Sequence, residues 1–439
     1  MSQELNFEIR KLGECMYDSP LTGTVRDDAI TPNFVDDVAD RILFDDRVGQ
    51  VDDRSWANTM ELAGPRRKIF FKPSETRIGI VSCGGLCPGI NDVIRGLVRT
   101  AQLNYGVQAT LGFLYGYRGL IPEHGHEPLQ LTPDSVGNIH EKGGSILSSS
   151  RGYQSVEITV DRLVALGVNI LFVIGGDGTQ RGGRDIAEEA ERRNTPIAVV
   201  GIPKTIDNDI RFIDRSFGYE TAFSQAVNAI GVAHNEARGT LNGVGLVKVM
   251  GRHSGFIAAH AAVASGHVNF CLIPEMPFGP RAREAFREAL AQRLERRKHA
   301  VIVVAEGFGQ DYMADNEAAT DDSGNVRLND IGVFMAERTK TWLKERFGRD
   351  ASVKYIDPSY LVRGVPATPS DSAFCRQLAQ NAVHAAMSGR TEMIVGTWHN
   401  RGVHVPTDMA VSQRKVVDLE GPLWRSVLSA TRQPAVMGE

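Results

Sequence analysis

The chain has 439 residues, 42% of them hydrophobic and 23% charged, so it can bury more than one core and does not read as disordered. Its formal net charge of −4 argues against a protein that coats nucleic acid through bulk positive charge. No apolar run approaches the length of a membrane span, and the charged N-terminus lacks a signal-peptide core, so neither membrane nor secretory routes are expected.

Residues 1–74 carry many Asp and Arg residues (VDDVADRILFDDRVGQVDDR) and few strand signals. They read as an extension, partly helical, wrapped on the main body or used in assembly. From residue 77 the texture changes. RIGIVSCGG, VNILFVIGGDGT, IAVVGIPKTIDND, NGVGLVKVMGR and HAVIVVAEGFG each begin with a short Val/Ile-rich run and end in glycine or polar residues. Such runs suit strands buried on both faces of a parallel sheet. Between them, NDVIRGLVRTAQLN, TQRGGRDIAEEAERRN and ETAFSQAVNAIGVAHNEARG read as helices. The alternation predicts an α/β protein of βαβ units with ligand loops at the carboxyl ends of the strands. The acidic run at 311–330 reads as an exposed insertion. Five cysteines, at 15, 83, 87, 271 and 375, are odd in number and irregular in spacing, which points to reduced thiols of a cytoplasmic protein.

GGDGT, Gly175 to Thr179, closes one strand and opens a helix. Glycines there let backbone N–H groups approach an anion, and a helix N-terminus favours negative charge. Asp177 in that turn suits a bridging cation, Mg²⁺, while an aspartate helix cap is the plainer alternative. PKTIDND, Pro203 to Asp209, sets two carboxylates and an Asn beside Lys204 and Thr205. An aspartate near cationic groups stays ionised and can take a hydroxyl proton; an Asx turn bonding its own backbone is the alternative. In MGRHSG, Arg252 leaves a strand end where its planar fork can clamp a phosphate or sugar hydroxyl. Glu306 leaves another strand end, Tyr360 and Arg363 precede a proline-studded turn, and His253 reads as structural. No G-x-G-x-x-G with a following acidic residue appears after the first strand, which disfavours a nicotinamide-dependent oxidoreductase.

In this order GGLCPGIND (84–92), GYRGL, GGSILSSSRG, GGDGT, PKTIDND, MGRHSGF, AEGFG and YLVRG resemble the 6-phosphofructokinases, from about residue 77 to 410. The resemblance implies two Rossmann-like parallel-sheet domains with the active site in the cleft between them, plus the N-terminal extension. Its boundaries would be 1–74 for the extension, 75–218 and 362–412 for the nucleotide domain, and 219–361 and 413–439 for the sugar-phosphate domain. It implies Asp207 as the base for the sugar 1-hydroxyl, with Asp209 and Arg252 assisting, and Asp177 as the Mg²⁺ ligand. Gly84, Arg151, Gly152, Gly176, Gly178, Thr179 and Lys204 would line the nucleotide. Thr205, Ile206, Met250, Gly251, Arg252, Glu306, Tyr360 and Arg363 would line fructose 6-phosphate. Lys354 falls where the family places a basic residue for the 6-phosphate, often supplied by a neighbouring subunit.

Within the family, Gly178 points to ATP because an aspartate there would obstruct the nucleotide's α-phosphate. Lys204 is the residue that pyrophosphate users carry, and Gly178 with Lys204 and GGLCPG resembles the ATP-dependent enzymes of plants and trypanosomes. The alternatives are a pyrophosphate-dependent transferase and a regulator that has lost catalysis. Tyr360 and Gly243 depart from the short bacterial form, which has histidine and a cross-subunit arginine there. A homotetramer or homodimer is expected, with no nucleic-acid or membrane partner.

Overall fold

The computed structural model describes residues 5–21, 34–47, 58–313, 328–348 and 351–435. The chain divides into two compact units. The first comprises Met1–Thr205, Ile210–Gly218 and Val365–Arg414; the second comprises Ile206–Asp209, Tyr219–Gly364 and Lys415–Glu439. Most of the acidic run read as an insertion, residues 314–327, lies outside the described residues.

The first unit opens with β1 (Tyr17–Asp18), β2 (Arg41–Leu43), β3 (Thr59–Glu61) and β4 (Lys68–Ile69). β1 pairs antiparallel with β4, and β2 with β3. The described residues before residue 74 form short strand pairs and no α-helix, and residues 22–33 and 48–57 of the stretch expected to be partly helical lie outside the described residues. Then follow β5 (Arg77–Ser82), α1 (Ile90–Arg99), β6 (Ala109–Gly112), β7 (Leu129–Leu131), α2 (Val156–Ala165), β8 (Ile170–Gly175), α3 (Asp177–Arg192) and β9 (Ala198–Pro203). α1 runs on through a π-helical stretch, Thr100–Tyr105. Ser155 caps α2 by accepting from Ile158 N–H at 3.3 Å. Ile170 to Ile174 are wholly buried, as a strand covered on both faces must be.

The second unit carries α4 (Tyr219–Arg238), β10 (Gly243–Val249), α5 (Phe256–Ser265), β11 (Phe270–Leu272), α6 (Pro280–Arg297), β12 (His299–Ala305), α7 (Ile331–Phe347) and β13 (Ser352–Ile356). Its four strands lie in the order β11-β12-β10-β13 and all pair in parallel. Asp330 caps α7, accepting from Gly332 N–H at 3.0 Å and Val333 N–H at 3.1 Å.

The chain then returns to the first unit as α8 (Pro369–Met387), β14 (Met393–Trp398), β15 (Arg401–Pro406) and α9 (Thr407–Ser412), and ends in the second with α10 (Pro422–Thr431). The first unit's sheet thus has seven strands in the order β15-β14-β9-β8-β5-β6-β7, parallel inside and antiparallel at both edges. Its N-terminal strands are fastened by charge. Arg390 is 1% exposed and donates to Glu61 Oε2 at 2.8 Å and Asp37 Oδ1 at 2.5 Å. Arg66 also reaches Asp37 at 2.9 Å, as does Lys11 at 2.7 Å, and His404 Nδ1 lies 3.2 Å from Glu61 Oε2.

Candidate active site

In the first unit, the carboxyl ends of three adjacent parallel strands, β5, β8 and β9, carry the glycine-rich motifs. After β5, Gly84 takes φ +84, a left-handed conformation that suits glycine. Its N–H donates to Ser150 O at 3.0 Å, and Ser149 Oγ donates to Gly84 O at 2.6 Å. These bonds hold Arg151 and Gly152 beside the Gly84 loop. Buried Lys204, after β9, donates from Nζ to Gly85 O at 2.6 Å, so one lysine ties the tips of two strands.

After β8, Gly176 is the N-cap of α3 and makes no side-chain cap bond, and Asp177 is the first helical residue. The aspartate-cap alternative is thereby set aside: the Asp177 carboxylate instead meets Arg181 Nη2 at 3.3 Å, one turn on. A Cβ at Gly178 would meet nothing within 4 Å, so this position of the helix N-terminus opens onto free space. Gly175 differs: a Cβ there would lie 2.3 Å from Thr179 Cβ. Tyr117, from GYRGL, donates to Thr179 O at 2.7 Å and anchors the turn from below.

Gln180 escaped the sequence reading. Its buried amide donates to Gly175 O at 2.9 Å and Ile202 O at 3.2 Å, joining the ends of β8 and β9. A Cβ on Gly201 would sit 1.9 Å from Gln180 Oε1, which explains a glycine inside β9. The available signal was periodicity: Gln180 shares the buried face of α3 with Gly183, Ile186, Ala187 and Ala190.

In the second unit, the Ile206–Asp209 turn is held from two sides. Asn208 takes φ +55, and Lys415 donates from Nζ to Asn208 Oδ1 at 3.1 Å and from its backbone N–H to Asp209 O at 2.8 Å. Ser254, of MGRHSG, donates from Oγ to Asp207 O at 2.8 Å. Met250, Gly251 and Arg252 follow β10, and Glu306 follows its neighbour β12. Gly307 N–H donates to Gly251 O at 3.1 Å, and a Cβ on Gly307 would lie 1.9 Å from Arg252 O, so these two loops pack backbone to backbone. Burial pushes the Glu306 carboxyl above its ordinary range, against the pull of Arg252, Lys248 and Arg363. Those opposing influences place Arg252, Glu306 and Arg363 in one electrostatic neighbourhood.

Two residues stand apart. Tyr360 is 79% exposed, with the Arg363 guanidinium 4.9 Å from its ring centre. Lys354 is exposed in the middle of edge strand β13, opposite Gly245 and four residues short of the tip of β10. At strand spacing that is about 13 Å from the Arg252 loop. Lys248 was also missed: it bridges Asp330 at 3.2 Å and Asp357 at 2.8 Å, joining the α7 cap to the segment leading into Tyr360 and Arg363.

The sequence profile of the family described as phosphofructokinase matches residues 77–386. The chain belongs to the phosphofructokinase family. It is 47% identical over 444 residues to the ATP-dependent 6-phosphofructokinase of Borreliella burgdorferi, covering 99% of this chain and 98% of that one. The enzyme of the same name from Amycolatopsis methanolica is 44% identical, covering 99% and 96%. That from Trypanosoma cruzi is 50% identical over 374 residues, covering 84% and 76%. Among solved structures, pyrophosphate-dependent phosphofructokinase from Marinobacter aquaeolei superposes with a TM-score of 0.66 at 21% identity, covering 83% of this chain and 92% of that one. Phosphofructokinase from Pichia pastoris in the T-state gives 0.64 at 21%, covering 81% and 37%. At these identities the structural likeness speaks for the α/β fold alone.

Proposed function

We propose that this chain is an ATP-dependent 6-phosphofructokinase, transferring the γ-phosphoryl group of ATP to the 1-hydroxyl of fructose 6-phosphate to give fructose 1,6-bisphosphate and ADP. Gly178 carries the choice of donor. Its missing side chain leaves open space at the N-terminus of α3, where a nucleotide's phosphates have room to pass. Relatives matched over nearly their whole length bear the same ATP-dependent name. Lys204 is a residue of pyrophosphate users too, but its bond from Nζ to the Gly85 carbonyl at 2.6 Å does not itself favour either donor.

In this reading Gly84, Arg151, Gly152, Gly176, Gly178, Thr179 and Lys204 serve the nucleotide. Ile206, Met250, Gly251, Arg252, Glu306, Tyr360 and Arg363 serve the sugar phosphate, with Thr205. Asp207 takes the proton of the 1-hydroxyl as that oxygen attacks phosphorus, and Asp209 supports it. Phosphoryl transfer asks for position and positive charge, which Arg151, Lys204, Arg252 and Arg363 supply.

Asp177 would hold Mg²⁺. Among the described residues no group of three or more His, Cys, Asp or Glu side chains is placed to hold a metal, which fits an ion that draws most of its ligands from phosphate and water. When bound, that ion neutralises charge on the phosphate oxygens. Exposed Lys354 belongs to the same reading as a residue offered to the 6-phosphate in a neighbouring copy, within a homodimer or homotetramer. The enzyme is assigned to the cytoplasm; among the described residues no helix is long and apolar enough to cross a membrane.

The test is a side-by-side rate with ATP and pyrophosphate at saturating fructose 6-phosphate. Turnover with pyrophosphate and none with ATP overturns the choice of donor.

A further inference from the structure

The Ile206–Asp209 turn, the MGRHSG loop and the start of the C-terminal segment are closed into one ring of hydrogen bonds, all within the second unit. Ser254 Oγ donates to Asp207 O at 2.8 Å. The next residue, Gly255, donates its N–H to Glu275 Oε1 at 2.9 Å. The same carboxylate oxygen accepts from Val417 N–H at 2.8 Å. Two residues back, Lys415 returns to the turn through Asp209 O at 2.8 Å and Asn208 Oδ1 at 3.1 Å. Glu275 joins the Ser254 arm to the Lys415 arm by hydrogen bonds, and the Lys415 ammonium also lies 5.2 Å from the Phe256 ring centre.

The placement is tight. Glu275 follows β11 and faces Gly255, the N-cap of α5, where no side chain caps the helix. A Cβ on Gly255 would lie 2.3 Å from Ile273 Cβ and 3.0 Å from Glu275 Oε2, so Ile273 requires glycine there and the carboxyl packs close against it. Glu275 Oε2 is buried and has no hydrogen-bond partner among the described residues. Burial pushes the carboxyl up, against backbone N–H groups that pull it down, Val417 first and Gly255 next. An acceptor for two amides is what the ring uses; among the described residues no cation acts on the Glu275 carboxylate.

We infer that Glu275 is a positioning residue for Asp207: through one oxygen it sets the spacing between the two arms that grip the turn, with Lys415 as its counterpart on the far side. The inference rests on the reading of Asp207 as the base. It separates geometry from charge, because glutamine keeps a carbonyl acceptor in the same place and alanine does not.

The experiment compares Glu275→Ala, Glu275→Gln and Lys415→Ala with wild type in the full chain. Steady-state kcat and KM are measured for fructose 6-phosphate, using whichever donor the wild type accepts, with circular dichroism as a folding control. Glu275→Ala is expected to lose about 10²-fold in kcat with little change in KM, the mark of a displaced group near the reacting atoms. Glu275→Gln is expected to restore most of it. Unchanged kcat in Glu275→Ala, a rise in KM alone, or failure of glutamine to rescue overturns the inference. Should Glu275→Ala not fold, Lys415→Ala decides: a fall in kcat at constant KM supports the ring, and wild-type kcat overturns it. A wild-type chain inactive with both donors removes the assigned reaction and this inference together. An active one in which Glu275 is dispensable removes the inference alone.

Discussion

Arg390 and Glu61 meet at 2.8 Å with 1% and 5% of their side chains exposed, joining the end of α8 to the strand β3 more than three hundred residues earlier. Buried His404 and, at the rim, partly exposed Asp37 complete a polar cluster around them. Such a cluster is costly to assemble and more costly to break by halves, since the remaining charge stays buried without its partner.

Arg390→Met removes the most deeply buried cation of the cluster and leaves Glu61 and Asp37 to Arg66 and Lys11. The expected loss is about 3–5 kcal/mol of unfolding free energy, read from urea titration of the variant against wild type. A loss within experimental error means that the N-terminal strands are held by something else.

Acid sensitivity follows from the same cluster. Burial lowers the His404 imidazole to about 4, and likewise His384. Their folded values lie below the unfolded value near 6.5, so the stability they contribute is full above 6.5 and declines as pH falls toward 4. Burial works to raise the Glu61 carboxyl, but His404 and Arg390 outweigh it and hold it at about 2. Its contribution is full above its unfolded value near 4.5 and is lost as pH falls toward 2. Unfolding midpoints in urea are expected to fall steadily from pH 6.5 downward; a flat profile between 6.5 and 4 contradicts buried neutral histidines.

Gly178→Asp places a side chain in open space, so the fold is expected to survive, with a thermal midpoint close to wild type. ATP-dependent kcat/KM is expected to fall by roughly 10²-fold or more through obstruction and like-charge repulsion near the phosphates. Unimpaired use of ATP by this variant contradicts the donor path.

Asp207→Ser removes the assigned base. Turnover is expected to drop by about 10²–10⁴-fold while fructose 6-phosphate binding, followed by calorimetry, persists.

Gln180→Leu tests the brace between β8 and β9. It removes the side-chain donor to the Ile202 carbonyl and one of two donors to the Gly175 carbonyl, which keeps the Lys204 N–H at 3.0 Å, at about 0.5–1.5 kcal/mol for each lost bond, and is expected to lower both stability and kcat. A variant as stable as wild type means that water or another group takes the donor's place.

Much of this was written in local sequence. The runs that became β5, β8, β9, β10 and β12 are apolar on both faces, and that pattern needs no tertiary knowledge to read. Each Gly or Asp at their ends sits where a strand must turn into a helix or loop. What escaped depends on distant partners. The Asp- and Arg-rich N-terminus reads only as a partly helical extension wrapped on the body or used in assembly, because nothing local shows that Asp37 and Glu61 await Arg390 from the far end of the chain. Gln180, Glu275 and Lys415 escaped for the same reason: each is an ordinary polar residue until folding brings backbone amides or carbonyls to it. The short strand β13, with Lys354 exposed in its middle, carries too few buried positions to announce itself.

The pairing of β14 with β9 sets a waiting time during synthesis. Met393 must reach Val200 before that side of β9 is covered, and a ribosome needs on the order of 10–40 s to travel the intervening stretch. For that interval a fully apolar strand presents bare amides and carbonyls to solvent, a template for mispairing between nascent chains on one polysome. Folding yield in the cell should therefore depend on chaperone holding of the nascent chain and on translation speed over the second half of the message, even though the finished protein buries every residue of that strand.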